Sequence, residues 1–100
     1  MKKIFIVHSR RNKSIEQYNE ERGKIIARIQ RRFPNEEIYI LDNDINNDDL
    51  ANLSFYISVL AQADLVVFEP KYLYNEGNVV KLCCDLYDIP HINLPPNVYA

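Results

Sequence analysis

Four consecutive apolar strand formers, Ile4-Phe5-Ile6-Val7, set the first constraint on this chain. A strand with one face in water alternates apolar and polar residues. An unbroken run asks for burial on both faces, which points to a parallel sheet with helices on either side. Comparable runs follow at Ile38-Tyr39-Ile40-Leu41 and Leu65-Val66-Val67-Phe68. A shorter fourth strand is read in Ile89-Pro90-His91-Ile92-Asn93-Leu94, where Pro90 at its start suits a sheet edge.

Helical patterns separate the strands. Ser14-Ile15-Glu16-Gln17 has capping-box spacing and opens a first helix. Ile15, Tyr18, Ile25, Ile26, Ile29 and Phe33 recur along it at helical spacing with charges between them, and Pro34-Asn35 stops it. Asp48 or Asp49 caps a second helix, with Leu50, Leu53, Ile57 and Leu60 as its inward stripe. Asn75 or Asn78 caps a third, carrying Val79, Val80, Cys83 and Leu86. The order βαβαβαβ with right-handed crossovers predicts a flavodoxin-like three-layer α/β/α domain with a four-stranded parallel sheet, order 2-1-3-4. The domain is read over residues 1–94, with a C-terminal tail over 95–100 beginning at Pro95-Pro96.

Composition narrows the function classes. One hundred residues suffice for one core, and 47% hydrophobic with 26% charged residues is a globular balance, not a disordered one. Two glycines rule out a Gly-rich phosphate loop. A net charge of −2 argues against direct nucleic-acid binding. The charge is uneven: residues 1–37 carry ten Lys or Arg against five Asp or Glu, a balance of +5, and residues 38–100 carry two against nine, a balance of −7. The basic part reads as a solvated helix face, or as a surface that meets an anionic ligand or the acidic part of a neighbouring subunit. Cys83 and Cys84 are adjacent, with no Cys/His ligand spacing, and read as buried thiols of a reducing compartment. Met1-Lys2-Lys3 and four apolar residues are too short for a signal peptide or a membrane span, so a cytoplasmic protein is expected.

In open parallel sheets the ligand crevice lies outside the strand carboxyl ends, where the chain order reverses. Between strands 1 and 3 this topology gathers His8-Ser9-Arg10-Arg11, the segment Glu69 to Tyr74, and Asn75-Glu76-Gly77-Asn78, with Asp42 and Asp44 on one flank. The start of the third helix offers free N–H groups to a phosphate or hydroxyl oxygen. Tyr72 or Tyr74 suits base stacking, and Asn75 or Asn78 suits sugar hydroxyls. A nucleophile or general acid has to come from Glu76, Glu69, Asp42, Asp44 or His8. Each residue also has a plain structural reading: His8 as a loop histidine satisfied by backbone groups, Arg10 and Arg11 as solvated surface, the tyrosines as cover for a sheet edge. No Ser/His/Asp arrangement and no metal-ligand spacing is legible.

One stretch carries a longer pattern. Leu60-Ala61-Gln62-Ala63-Asp64 ends a helix, Leu65 to Phe68 is the strand, Tyr72-x-x-Asn75-x-Gly77-Asn78-x-x-Lys81 enters the next helix, and Asp88-Ile89-Pro90-His91-Ile92 closes the unit. With Ile4-Phe5-Ile6 as first strand, this resembles the nucleoside 2-deoxyribosyltransferase superfamily, most of all the small uncharacterised bacterial and phage proteins grouped with those enzymes. The likeness spans most of the chain in topology and Leu60 to Ile92 in motif. It implies a nucleoside, a nucleotide or a related N-glycoside as ligand. In the enzymes a glutamate four residues after the motif glycine forms a covalent glycosyl intermediate. That position here is Lys81, while Tyr72 stands for the motif tryptophan and Asn75 for its serine. A lysine cannot repeat the step at neutral pH without a large pKa shift. Glu76 lies nearly a turn and a half earlier on the helix. Phe5-Ile6-Val7-His8-Ser9 also resembles the first box of TIR domains, some of which cleave NAD.

The leading expectation is therefore a nucleoside- or nucleotide-binding protein on this scaffold, catalytically degenerate, with His8, Ser9, Arg10, Asp42, Glu69, Tyr72, Asn75, Gly77, Asn78 and Lys81 toward the ligand. An active N-glycosidase or deoxyribosyltransferase using Glu76 or Asp42 is the second, and a TIR-like or phage protein-interaction module the third. No cofactor is implied, and a homodimer is expected because a sheet of this size gains core by pairing.

Overall fold

The computed structural model describes residues 2–9, 13–42, 57–70 and 79–100. Strands β1 (Lys3–His8), β2 (Glu37–Asp42), β3 (Leu65–Phe68) and β4 (His91–Asn93) form one sheet of order β2-β1-β3-β4, parallel in every pairing. Helix α1 (Ile15–Arg32) crosses between β1 and β2. Residues 57–60 are helical (α2 below), and α3 (Val79–Leu86) joins β3 to β4. This is the flavodoxin-like α/β architecture that the apolar runs predict. The parts of the second helix read at Asp48, Asp49, Leu50 and Leu53 lie outside the described residues.

Side chains alternate along a strand, and both faces of this sheet are covered. Phe5, Val7, Val66 and Phe68 pack with Leu60 of α2 and with Val80, Cys83 and Cys84 of α3. Ile4, Ile6 and Val67 pack with Ile25 and Ile29 of α1, and with Leu94 and Val98. The same alternation sends the next residue of each series toward α1: His8 after Ile6, and Glu69 after Val67.

Helix α1 starts as its sequence dictates, with the Ser14 hydroxyl accepting from the Gln17 N–H at 3.0 Å. Ile15 departs from the expected stripe and is 59% exposed. Eighteen helical residues span about 27 Å, against about 20 Å for the six of β1. Tyr18 already stacks on the last residue of β1, so the first turn overhangs the sheet. Leu86 is also corrected, since it is exposed with Leu82 on the outer face of α3, while Val80, Cys83 and Cys84 point inward. Helix α3 ends on Asp88 in the left-handed region (φ 53°), and the Ile89 N–H closes the turn on the Cys84 carbonyl at 2.9 Å.

The segment after Leu94, read from sequence as a tail, forms a 3-10 turn (Pro96–Tyr99) against α1. Val98 is buried there, and the Lys24 ammonium donates to the Tyr99 carbonyl at 2.9 Å. Asp64 of the Ala-Asp pair ties the amino ends of two strands: its carboxylate accepts the Lys3 N–H at 2.7 Å, and its own N–H donates to the Lys3 carbonyl at 2.8 Å. Among the described residues no helix is long and apolar enough to cross a membrane.

Cys83 and Cys84 are free and buried. Burial pushes the Cys83 thiol up, and burial with the neighbouring Cys83 and Asp85 pushes Cys84 to about 11. Since the thiolate is the reactive form, both are expected to resist iodoacetamide at pH 8 in the folded chain and to react in denaturant. Native-state labelling at the rate of a free thiol would contradict this.

Candidate functional site

Among the described residues, three polar or charged ones are buried: His8, Ser9 and Glu69. All three sit at the carboxyl ends of β1 and β3. The Glu69 N–H extends the ladder by donating to the Val7 carbonyl at 3.1 Å, and its Oε1 accepts the Ser9 N–H at 3.0 Å. Glu69 thus bridges the two strands where their following segments diverge.

Helix α1 closes the site from above. Tyr18, Glu21, Ile25 and Ile29 share its inner face at steps of three and four residues. Tyr18 stacks on His8 with ring centroids 4.5 Å apart and 7° between planes, and the Arg22 guanidinium lies 5.5 Å from the Tyr18 ring centre. His8 Nε2 is 3.1 Å from Glu21 Oε1 and 3.5 Å from Glu69 Oε2. Lys13, just before the helix cap, donates to Glu69 Oε2 at 2.7 Å and pairs with Glu21 Oε1 at 2.8 Å, with its Nζ 3.4 Å from His8 Nε2. The His8 and Glu69 side chains are enclosed (0% and 4% exposed), and Glu21 and Lys13 open the cluster to solvent at 15% and 17%. His8 Nδ1 has no hydrogen-bond partner among the described residues.

Burial opposes charge on Glu21, but hydrogen bonds from Lys13, Gln17 and His8 outweigh it and hold the carboxyl at about 2. Burial likewise pulls the Lys13 ammonium down, and its bonds to Glu21 and Glu69 more than reverse that. Burial, the charges of Glu21 and Glu69, and a hydrogen bond to Glu21 push the Tyr99 phenol well above its ordinary value. Because Glu21 is depressed in the folded state, its stabilising contribution is full above the ordinary carboxyl value of 4.5 and falls away as pH drops toward 2. Thermal melts are expected to lose stability over that window, and Glu21→Gln is expected to flatten that part of the profile. An unchanged profile would refute the ion pair.

The expected site residues separate into four groups. His8, Ser9 and Glu69 come together; His8 is the last residue of β1 and bonds a carboxylate, where the structural alternative made it a loop histidine held by backbone groups. Asp42 ends β2 in register with His8, so its backbone lies at the same end of the sheet. Lys81 is held elsewhere: its ammonium donates to both oxygens of Asp85 at 2.8 and 3.0 Å, one turn along α3, and Asp85 in turn lies 3.4 Å from His91 Nε2. Arg10, Arg11, Asp44, Tyr72, Tyr74, Asn75, Glu76, Gly77 and Asn78 lie outside the described residues.

Lys13, Glu21 and Tyr99 belong to the cluster and were not expected there. One signal for Glu21 is present in the sequence, because it falls between Tyr18 and Ile25 on the stripe that the apolar period assigns to the core. Comparison with protein-family models, curated proteins and solved structures finds no match to this chain.

Proposed function

We propose that this chain binds a nucleoside- or nucleotide-like small molecule at the carboxyl ends of β1 and β3, without the covalent glycosyl chemistry of the enzymes that its sequence resembles. The observation that carries the reading is the concentration of His8, Ser9 and Glu69, all three of the buried polar residues described, at the point where an open α/β sheet forms its ligand crevice. A folding core has no need to collect them there; a binding floor does. Ring nitrogen, carboxylate and ammonium within one cluster suit a ligand that carries both hydrogen-bonding heteroatoms and charge. The commitment of Lys81 to Asp85 supports the non-catalytic half, since the residue at the nucleophile position is already paired.

Calorimetry against nucleosides, mononucleotides and NAD-derived nucleotides is expected to give saturable binding for at least one class. No heat at millimolar ligand across the panel would overturn the reading. Deoxynucleosides incubated with the protein are expected to be recovered intact by chromatography, and released base would remove the non-catalytic half. A homodimer is part of the proposal, supported by the exposed Leu82, Leu86 and Tyr87 on and beside α3. Light scattering that returns 11.8 kDa would remove it.

A further inference from the structure

The His8/Glu21/Glu69 cluster already grips a cation, the ammonium of Lys13. We infer that these three side chains form a divalent transition-metal site for which Lys13 is the tethered competitor; the inference goes beyond the nucleotide reading and does not depend on it.

The nearest ligand atoms of the three residues all lie within 4.8 Å of one another. In a tetrahedral zinc-type site with bonds of about 2.05 Å, neighbouring ligand atoms are about 3.3 Å apart. The two histidine–carboxylate edges here, 3.1 and 3.5 Å, bracket that value. Lys13 Nζ sits against all three ligand atoms, at 2.7, 2.8 and 3.4 Å, nearer the carboxylates than the imidazole, and so competes for the oxygens that a metal ion between the three groups would take.

Among the described residues the two carboxylates of the cluster face one side-chain ammonium, and Glu69 is almost enclosed. A dication in place of the ammonium balances two carboxylates.

The histidine is left with conflicting partners. Its Nε2 faces one donor, Lys13, and two acceptors, Glu21 and Glu69, and cannot satisfy all of them in either tautomer. Without a metal the carboxylates favour the proton on Nε2; Nδ1, which has no partner among the described residues, can take that proton and leave the Nε2 lone pair to a metal. One imidazole and two carboxylates suit zinc-like ions, and three protein ligands leave a fourth position on the side where Lys13 and Glu21 reach solvent.

The test is titration of the untagged chain with Co2+ alone, read by visible absorption and by thermal shift. The wild type is expected to bind one ion per chain. Lys13→Met is expected to bind it at least about tenfold more tightly, the scale of removing one hydrogen-bonded charge from the site. His8→Asn in the Lys13→Met background is expected to abolish binding, and His91→Gln to leave it unchanged. Absence of binding in both the wild type and Lys13→Met, or binding that survives His8→Asn, would overturn the site. If Lys13→Met is unfolded without metal, recovery of its fold by Co2+ supports the inference, and failure to recover, with no binding by the wild type, overturns it. Because no nucleotide is present, a failure here leaves the ligand reading to its own titration.

Discussion

Glu69→Ala is expected to destabilise the fold by about 3–5 kcal/mol, the scale of removing one partner from a buried ion pair. Three groups lose a partner at once. The Ser9 N–H loses its acceptor at 3.0 Å, the Lys13 ammonium loses the shorter of its two carboxylate contacts, and His8 keeps Glu21 and Lys13 but loses Glu69. Lys13 reaches solvent, but the enclosed His8 and the buried Ser9 N–H do not. For a domain whose whole stability is of order 5–15 kcal/mol, a loss of this size is large. Glu69→Gln separates the contributions, because its amide oxygen can still accept from Ser9 while the charge is gone. Urea unfolding of the three chains should rank wild type, then Gln, then Ala. A loss under about 1 kcal/mol for Ala would mean the cluster contributes no more than an exposed ion pair.

The scaffold of this site was legible in the sequence because it follows from local rules. Unbroken runs at Ile4–Val7 and Leu65–Phe68 demand a two-sided sheet, Ser14 caps α1, and right-handed crossovers leave one simple strand order. The contents of the site were only partly legible. His8, Ser9 and Glu69 follow directly on strands, so topology alone brings them together. Lys13 and Glu21 sit among many charges in the first third of the chain, where a charged residue on a helix is by default a solvated one. Only the phase of Glu21, between Tyr18 and Ile25, marks it as inward, and that phase matters because α1 lies across the sheet end. Tyr99 follows two prolines, and nothing near it in sequence announces that the segment folds back on α1. The metal-like geometry was invisible for a related reason: His8, Glu21 and Glu69 come from a strand end, a helix and a second strand end, with no short spacing to connect them.

Replacing the whole ionic cluster should undo the damage that a single truncation does. The triple variant Lys13→Met, Glu21→Gln, Glu69→Gln is expected to be clearly more stable than Glu69→Ala, because it leaves no buried charge without a partner. Methionine keeps most of the length of Lys13 and fills the gap between the two amides. The amide introduced by Glu69→Gln retains an acceptor for Ser9, and its N–H can meet His8 Nε2. The same variant is expected to lose ligand binding, and with it the metal ligands contributed by Glu21 and Glu69. Urea unfolding beside nucleotide calorimetry reads both effects in one preparation. A stable, non-binding triple variant would mean that the charges at the ends of β1 and β3 serve recognition and not the fold. A triple variant as unstable as Glu69→Ala would mean the reverse, that the ion pairs are structural, and would take away the main support for a site there.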